Sequence, residues 1–354
     1  MESPSLTPLK QVTPMRAKRW YLTKIAYLAS WIGIAVPAPG QVFAYATNQF
    51  YDAVSVVDTA TNGVTAFIGV GAAPFAVAIT PDGSRAYITN QNSASISVID
   101  LVKNTLTATI RVGGFPSGVA VSPNGHRVYV ANGQFDSVDV IDTKTNTVVA
   151  TVRVGVGPVG VAITPDGRRV YVTNQLADSV SVIDTADNTV IATVGVGHLP
   201  FMVAITPNGL RAYVANWALE SHSVSVIETN DNTVVATIEV GANPLAVAIG
   251  PGGVRAYVTN SGDNSLSIID TEDNKVLATI RVGNFPAGVA ITRNGTRAYV
   301  TNSGLTNPGA FGSISVIDTV RRRVVDTIRV GGNPIGIAIA PTVVPASVEE
   351  LRTE

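Results

Sequence analysis

The sequence contains no cysteine, so neither a disulfide bond nor a thiolate metal site is available to it. Charged residues are also scarce, at 14% of the chain against the ~25% typical of soluble domains. Only three histidines occur, which leaves few places for acid–base chemistry near neutral pH. Beyond the N-terminal segment, no stretch has the 3.6-residue apolar period of an amphipathic helix, so a mainly helical fold is excluded.

The N-terminal segment differs in kind from the rest of the chain. A basic stretch at 15–24 precedes an uncharged apolar run at 25–36, and small residues follow at 37–44. This order is typical of a secretory signal peptide, and the apolar run is shorter than the ~20 residues that a spanning helix needs. We expect residues 1–38 to be a signal peptide, with cleavage as late as residue 44. An uncleaved anchor is the alternative, and Met15 is an alternative start.

The net charge of residues 1–38 differs in sign from that of the rest of the chain. Residues 1–38 hold five basic residues and one acidic residue, a net of +4, while the whole chain carries −1, so the remainder carries −5. A mildly acidic domain lacks the basic surface that a general nucleic-acid binder needs. We therefore expect an exported protein, in the periplasm, at the cell surface or secreted, that does not bind nucleic acid generally.

What the remainder does contain is one short pattern written seven times. The pattern is a tyrosine followed by Ala, Ile or Val, then Thr or Ala, then Asn. The seven tyrosines are 42 residues apart except for one interval of 44, and they are Tyr45, Tyr87, Tyr129, Tyr171, Tyr213, Tyr257 and Tyr299. A fixed period of this length indicates a repeat architecture in which each unit needs its neighbours to bury its faces.

Each period carries four short β-branched runs separated by turn signals, as residues 158–197 illustrate. Runs of this kind predict four antiparallel strands, A to D, and a period of ~40–45 residues with four strands is that of a propeller blade. The repeated Tyr, Val and Ile are interpreted as packing between blades. The repeated Asn and Asp, such as Asn174 and Asp184, are interpreted as turn-forming residues of the fold.

The tetrapeptide resembles that of the YVTN-repeat β-propellers, a family of extracytoplasmic and surface-layer-like proteins. The resemblance covers residues 43–340, nearly all of the chain after the leader. The first tyrosine has no strand A before it, and an extra strand A at 334–340 follows the last blade. We therefore predict an all-β, seven-bladed propeller of four-stranded antiparallel blades, closed when this C-terminal strand A pairs with N-terminal strands B, C and D. Residues 341–354 are a short tail.

The two ends of such a ring carry different kinds of loop. The A–B turns, such as residues 164–168, vary little from blade to blade. The B–C loops on the other end differ in every blade, and the last one contains an insertion at 305–311 that we expect to form a mobile flap. Loops outside the packing pattern are where binding residues usually lie.

Most of the aromatic residues outside the repeat fall in these variable loops or beside them. The predicted ligand- or partner-binding residues are Phe50, Tyr51, Phe115, Phe135, Trp217, Phe285 and Phe311. An aromatic-lined surface suits a protein partner or an extended ligand. The alternative is that these side chains only plug the rim of the channel.

Histidine placement suggests one further candidate site. His198 lies in the connection that enters blade five, and His222 and Glu220 lie with Trp217 in the B–C loop of that blade. Two imidazoles and a carboxylate are candidate catalytic groups or ligands of a divalent metal. The alternative is that they are ordinary loop residues, and no cofactor is predicted.

Three functions follow from these observations. The first is an exported, monomeric, non-catalytic propeller that binds a partner protein or ligand through its variable loops. The second, which rests on analogy of fold, is an enzyme of lyase or lactonase type with a metal at the blade-five mouth. The third is single-stranded nucleic-acid binding by the arginines that open the B strands, such as Arg169, although nearby Asp166 and the net charge disfavour it.

Overall fold

The computed structural model describes residues 41–218, 222–304 and 311–341. The predicted signal peptide, most of the tail, Glu220 and most of the insertion at 305–311 lie outside the described residues. Within the described ranges, no helix is long and apolar enough to cross a membrane.

The inner half of each blade consists of strands A and B. Each strand A begins with proline, which sets φ for the first residue of the strand. The A strands are β4 (Pro74–Ile79), β8 (Pro116–Val121), β12 (Pro158–Ile163), β16 (Pro200–Ile205), β20 (Pro244–Ile249), β24 (Pro286–Ile291) and β28 (Pro334–Ile339). The B strands, which carry the repeated tetrapeptide, are β1 (Phe43–Asn48), β5 (Arg85–Asn90), β9 (Arg127–Asn132), β13 (Arg169–Asn174), β17 (Arg211–Asn216), β21 (Arg255–Asn260) and β25 (Arg297–Asn302).

The outer half consists of strands C and D. The C strands are β2 (Ala53–Asp58), β6 (Ser95–Asp100), β10 (Ser137–Asp142), β14 (Ser179–Asp184), β18 (Ser223–Glu228), β22 (Ser265–Asp270) and β26 (Ser313–Asp318). The D strands, which are the most exposed, are β3 (Gly63–Gly69), β7 (Thr105–Arg111), β11 (Thr147–Arg153), β15 (Thr189–Gly195), β19 (Thr233–Glu239), β23 (Lys275–Arg281) and β27 (Arg323–Arg329). Two single 3₁₀ turns, Gln91–Ser93 and Gln175–Ala177, interrupt B–C loops.

The predicted fold is confirmed, including the way in which the ring closes. The strands form seven four-stranded antiparallel sheets, and the first sheet has the order β28, β1, β2, β3. Tyr45 of β1 pairs with Ala338 of β28, so strand A of blade one comes from the other end of the chain. Each strand A packs beside strand A of both neighbouring blades, which places the seven A strands around the central channel. Closure leaves no blade face without a neighbour.

The repeated tyrosine joins each blade to the next. Its ring is buried in the apolar layer between two blades, as Tyr87 is against Val128 and Val130. In five blades its hydroxyl donates to the C–D turn of the following blade, as in the 2.7 Å bond from Tyr171 Oη to Asn232 Oδ1. Burial raises the pKa of Tyr171, in keeping with a neutral donor.

The Thr and Asn of the tetrapeptide have separate tasks. Thr173 Oγ1 donates to the carbonyl of Phe201, at 2.6 Å, in strand A of the next blade. Asn174 Nδ2 donates to two serine hydroxyls on the adjacent strand C, at 3.1 Å for Ser179 and 2.9 Å for Ser181. The sequence analysis interprets this Asn as a turn-forming residue, whereas in this blade its amide bonds to side chains of the neighbouring strand. The tetrapeptide therefore makes hydrogen bonds both within its own blade and to the next blade.

Candidate functional site

Backbone hydrogen bonds divide the loops between two rims. At one rim, the C–D turn is bonded to the A–B turn, as Leu101 N is to Ser84 O at 2.9 Å. We call this the uniform rim. At the other rim, the B–C loop is bonded to the D–A connection that follows the preceding blade, as Gln91 N is to Ala73 O at 3.0 Å. We call this the variable rim.

All seven aromatic residues predicted to bind a ligand or partner belong to loops of the variable rim. Phe115, Phe135 and Phe311 are the most open, with 49%, 58% and 60% of their surface exposed. Phe50, Tyr51, Trp217 and Phe285 are half-buried. The rings of Tyr51 and Phe311, on neighbouring blades, lie 6.5 Å apart. The variable rim therefore exposes three aromatic side chains, each over about half of its surface or more.

A second group of rings meets at the mouth of the channel. Phe75 belongs to blade two and Phe201 to blade five, yet their ring centroids are 6.2 Å apart, so the contact spans the channel. Trp217 lies against Phe201 with centroids 5.8 Å apart. Its indole Nε1 is buried and has no hydrogen-bond partner among the described residues. The positions of these three rings fit the interpretation that aromatic side chains plug the rim of the channel.

The opposite side of the mouth is polar and uncharged. Asn333 Nδ2 donates to Gln49 Oε1 at 2.6 Å, and Gln49 Nε2 donates to Gln91 Oε1 at 3.2 Å. Gln91 Nε2 continues the series to Ser117 Oγ at 3.4 Å. This arc of amides links blades seven, one, two and three, so it closes the ring at the variable rim. None of the side chains of this arc is charged.

The residue before each strand A proline has a left-handed backbone in all seven connections. Asn and Gly adopt this region easily, and three connections use them, but Phe115 (φ 57°) and Phe285 (φ 50°) do not belong to those types. The conformation costs roughly 1–2 kcal/mol for such a residue. Burying half of a phenylalanine side chain stabilises the fold by ~1 kcal/mol, which is no more than the cost of the left-handed backbone. Phe115 therefore adds little to the stability of the fold.

His198 pairs with a carboxylate of the preceding blade. Its Nδ1 lies 2.7 Å from Asp178 Oδ2, and 81% of the imidazole side chain is exposed. The Leu199 backbone amide, followed by the His198 ring, holds the pKa of the Asp178 carboxyl below its usual range.

His222 lies one connection further around the ring. Its carbonyl accepts the Val240 amide at 2.6 Å, as the Asp178 carbonyl accepts the Val196 amide at 3.0 Å. His198 therefore lies in the connection that enters blade five, and His222 lies in the B–C loop beside the connection that leaves it. Glu220 lies outside the described residues. Across the part of the chain that the structure describes, no group of three or more His, Cys, Asp or Glu could hold a metal ion.

Arginines differ between the two rims. The arginines that open six of the B strands brace the uniform rim, as Arg85 Nη1 does by donating to the Thr143 carbonyl of the next blade at 2.9 Å. Others pair with strand C carboxylates, such as Arg297 with Asp318 at 3.0 Å. The arginine ring that motivated nucleic-acid binding is therefore engaged in the fold.

The variable rim has arginines of the opposite kind. They are the last residues of four D strands, all are exposed, and their side chains have neither a hydrogen bond nor an ion pair within the described ranges: Arg111, Arg153, Arg281 and Arg329. Sequence reasoning missed them because it looked for cations at the uniform rim. The signal was present in the repeated string R-V-G-x-F-P, at 111–116 and 281–286.

The fold identifies this molecule as a seven-bladed β-propeller. The repeat forms its uniform rim, whereas the loops of its variable rim differ from blade to blade. The chain matches the family model of YNCE-like beta-propellers over residues 21–342, and it belongs to that family. The surface-layer-like YVTN family named from the tetrapeptide is not the one that this match describes. Comparison with curated proteins found no match.

Solved structures with the same fold are distant in sequence. Hydrazine synthase of Kuenenia stuttgartiensis is 24% identical, with a TM-score of 0.68 over 76% of this chain and 90% of that one. A functionally unknown protein of Desulfotomaculum acetoxidans is 18% identical, with a TM-score of 0.73 over 84% and 98%. The dihydro-heme d1 dehydrogenase NirN in complex with DHE is 15% identical, with a TM-score of 0.63 over 85% and 75%. These likenesses concern the fold alone.

Proposed function

We propose that this protein is an exported, non-catalytic propeller that binds a partner protein or ligand through its variable rim. The observation that carries the proposal is the exposure of Phe115, Phe135 and Phe311 on that one rim. Aromatic side chains are enriched at binding hot spots, where they supply large contact areas. The uniform rim carries no exposed aromatic side chain among the described residues, and the arginines that open its B strands are engaged in the fold, as Arg85 and Arg297 are.

The binding proposal is tested by capture from envelope extract with the mature chain. A variant with Phe115, Phe135 and Phe311 changed to Ser is expected to lose the captured partner. The matched control changes three exposed aliphatic residues of the uniform rim, Leu210, Val254 and Val320, to Ser. Equal loss with both variants, or retention of the partner by the aromatic variant, would contradict the proposal.

Export is proposed on the basis of residues 1–38, whose basic, apolar and small segments follow one another in signal-peptide order. Fractionation of cells that produce the full chain is expected to place the protein outside the cytoplasm. N-terminal sequencing should then find a start between residues 39 and 45. A cytoplasmic protein that keeps its first residues would contradict this part of the proposal.

An enzymatic function is the second candidate, and the pairing of His198 with Asp178 is the observation that favours it. A carboxylate that holds one imidazole nitrogen leaves the other free to exchange protons, as in a general base. Metal analysis and esterase or lactonase assays of the purified chain test this candidate. One tightly held divalent ion per chain, released by the His198→Ala and His222→Ala variants, would favour an enzyme over a binding protein.

A further inference from the structure

Two of the seven D–A connections combine an arginine and a phenylalanine. They read R-V-G-G-F-P at 111–116 and R-V-G-N-F-P at 281–286. The connections after β11 and β27 have the arginine without the phenylalanine, and the connection after β15 has Leu199 without an arginine. The combination is therefore confined to the approaches to blades three and seven.

The two segments are held alike at both ends, although between them the Gly113 amide donates to Asp139 Oδ2 at 2.9 Å and the Gly283 amide to Ser315 Oγ at 3.3 Å. Val112 N donates to Ala94 O at 3.1 Å, and Val282 N donates to Asn264 O at 2.9 Å, which fixes the start of each connection. At the other end, the carbonyls of Phe115 and Phe285 accept amides of the following B–C loop, at 3.1 and 3.0 Å. Because a D–A connection runs from the outer strand to the inner one, each arginine lies at the outer edge and each phenylalanine nearer the channel.

A second exposed ring accompanies each segment. Phe135 follows Gly133, whose amide bonds to the Phe115 carbonyl, and it is 58% exposed. The B–C loop that begins at Ser303, whose amide bonds to the Phe285 carbonyl, carries Phe311 near its other end, where the ring is 60% exposed and lies 6.5 Å from that of Tyr51 on blade one. Each segment therefore offers a phenylalanine and a guanidinium with no partner among the described residues, and a second exposed ring lies on the B–C loop bonded to it. The two segments lie on blades that are far apart around the ring.

We propose, resting on the binding function argued above, that these are two similar docking sites for acidic protein segments that carry an apolar side chain. An unpaired arginine binds a carboxylate in a fixed, forked geometry, and exposed phenylalanine rings receive an aliphatic or aromatic side chain. Arginine and aromatic residues are also the types that dominate protein interfaces. The first site consists of Arg111, Phe115 and Phe135, and the second of Arg281, Phe285 and Phe311.

Charge favours a protein segment over a nucleic acid as the occupant. The chain has a net charge of −1 and a sequence pI of about 6.3, so a polyanion of high charge density meets overall repulsion. Nucleic acid also needs a continuous basic track between its contacts. Here the uncharged arc of Gln49 and Gln91 lies between blades seven and three. A segment with a few local carboxylates requires only the local arginine.

Calorimetric titration of the mature chain tests the proposal, with a synthetic peptide in which one Leu is flanked by Glu residues. Two sites per chain are expected. Combining Arg111→Gln with Phe115→Ser should remove one site, with affinity there at least tenfold lower, and adding Arg281→Gln with Phe285→Ser should remove both. The matched controls, Arg153→Gln and Leu199→Ser, should each keep two sites.

Three results would overturn the proposal. They are no binding of the acidic peptide, equal binding of a peptide with Gln in place of Glu, and loss of sites in the two control variants. Tighter binding of oligo-thymidine, abolished by the same variants, would assign the sites to nucleic acid instead. Failure here with rim-dependent capture from envelope extract intact would leave the binding function standing and remove only this inference.

Discussion

The two rims of the propeller are made by the same strands, yet the arginine side chains at the two rims differ in their hydrogen-bond partners. At the uniform rim, Arg85 and Arg169 reach across to carbonyls of the next blade, at 2.9 and 2.5 Å. At the variable rim, Arg111 and Arg281 have no partner among the described residues. The arginines that open the B strands therefore belong to the fold, whereas the arginines that end four of the D strands are available for contact.

The same division holds for aromatic residues. The repeat tyrosines are buried between blades, and the hydroxyls of most of them bond to the neighbouring blade, as Tyr213 Oη does to Asn274 at 2.9 Å. Phe115 and Phe135 occur outside the repeat and remain about half exposed. Substitutions in the first group should therefore change stability, and substitutions in the second should change binding.

Removal of residues 334–354 should have the largest effect, because it deletes β28 and opens the ring. Strand β1 would lose one of its two paired strands, and β4 and β24 would lose a packed neighbour, so a cooperative thermal transition should disappear. Circular dichroism melting measures this outcome. Removal of 342–354 alone deletes no described strand and is the control. A truncated chain that still melts cooperatively near the full-length temperature would show that closure is unnecessary.

Tyr171→Phe should destabilise the fold by roughly 1–2 kcal/mol, because it leaves Asn232 Oδ1 without its donor between two blades. Phe135→Ser, at the variable rim, should change the free energy of unfolding by no more than about 0.5 kcal/mol. Urea denaturation measures both values. If the two substitutions cost the same, the distinction between repeat and variable residues does not hold.

Tyr129→Phe is the control for the Tyr171 substitution. No hydrogen bond of the Tyr129 hydroxyl is found within the described residues, and Asn188 Oδ1, its equivalent acceptor, has no partner there. The substitution should therefore cost less than Tyr171→Phe.

Arg322→Asn should stabilise the protein by about 1 kcal/mol. Arg322 has a left-handed backbone (φ 54°) in the C–D turn of blade seven, where the other six blades have Asn. The substitution would relieve that backbone and supply an acceptor for the Tyr257 hydroxyl, which has no hydrogen-bond partner among the described residues. A higher urea midpoint with an unchanged slope would confirm it, whereas an unchanged or lower midpoint would contradict it.

Acid should weaken the uniform rim in a defined range of pH. The Thr145 amide lowers the pKa of Asp142, the Thr164 hydroxyl lowers that of Asp166, and the Arg321 amide lowers that of Asp318 to about 2. A carboxyl with a lowered folded pKa stabilises the fold above its unfolded pKa of ~3.9 and loses that contribution as pH falls. The melting temperature should therefore drop between about pH 4 and about pH 2.

Asp318→Asn should make that drop smaller, because one of the titrating carboxyls is gone. Asp273→Asn is the control, since Asp273 lies on the same rim but only in an exposed pair with Lys275, 3.9 Å apart. Melting curves over the acid range compare the three proteins. An equal drop in all of them would show that Asp318 does not contribute to acid sensitivity.

The fold could be predicted because its determinants are local and repeated. Turn residues such as Asp166 and Gly167 mark where each strand ends, and the extra strand at 334–340 predicts closure without any knowledge of distances. The variable rim could be predicted as a rim for the same reason. What could not be predicted is which side chains meet on it, since that depends on where each blade stands in the closed ring.

Two contacts illustrate that limit. Phe75 and Phe201 are 126 positions apart in the sequence, and only the geometry of the ring brings blades two and five together across the channel. Similarly, His198 was grouped with His222 because both lie near blade five. The structure instead pairs His198 with Asp178 of blade four, because the connection folds back onto the preceding B–C loop.

Both ends of the ring leave from the uniform rim. Val42 bonds to Thr59 in the C–D turn of blade one, at 3.0 Å, and Pro341 lies against Gly83 in the A–B turn of blade two. A tag, bead, lipid or fused domain joined through either terminus would therefore sit beneath the disc, with Phe115 and Phe285 facing away from it. Molecules tethered in this way would all present the variable rim, with its aromatic residues, outward in the same orientation.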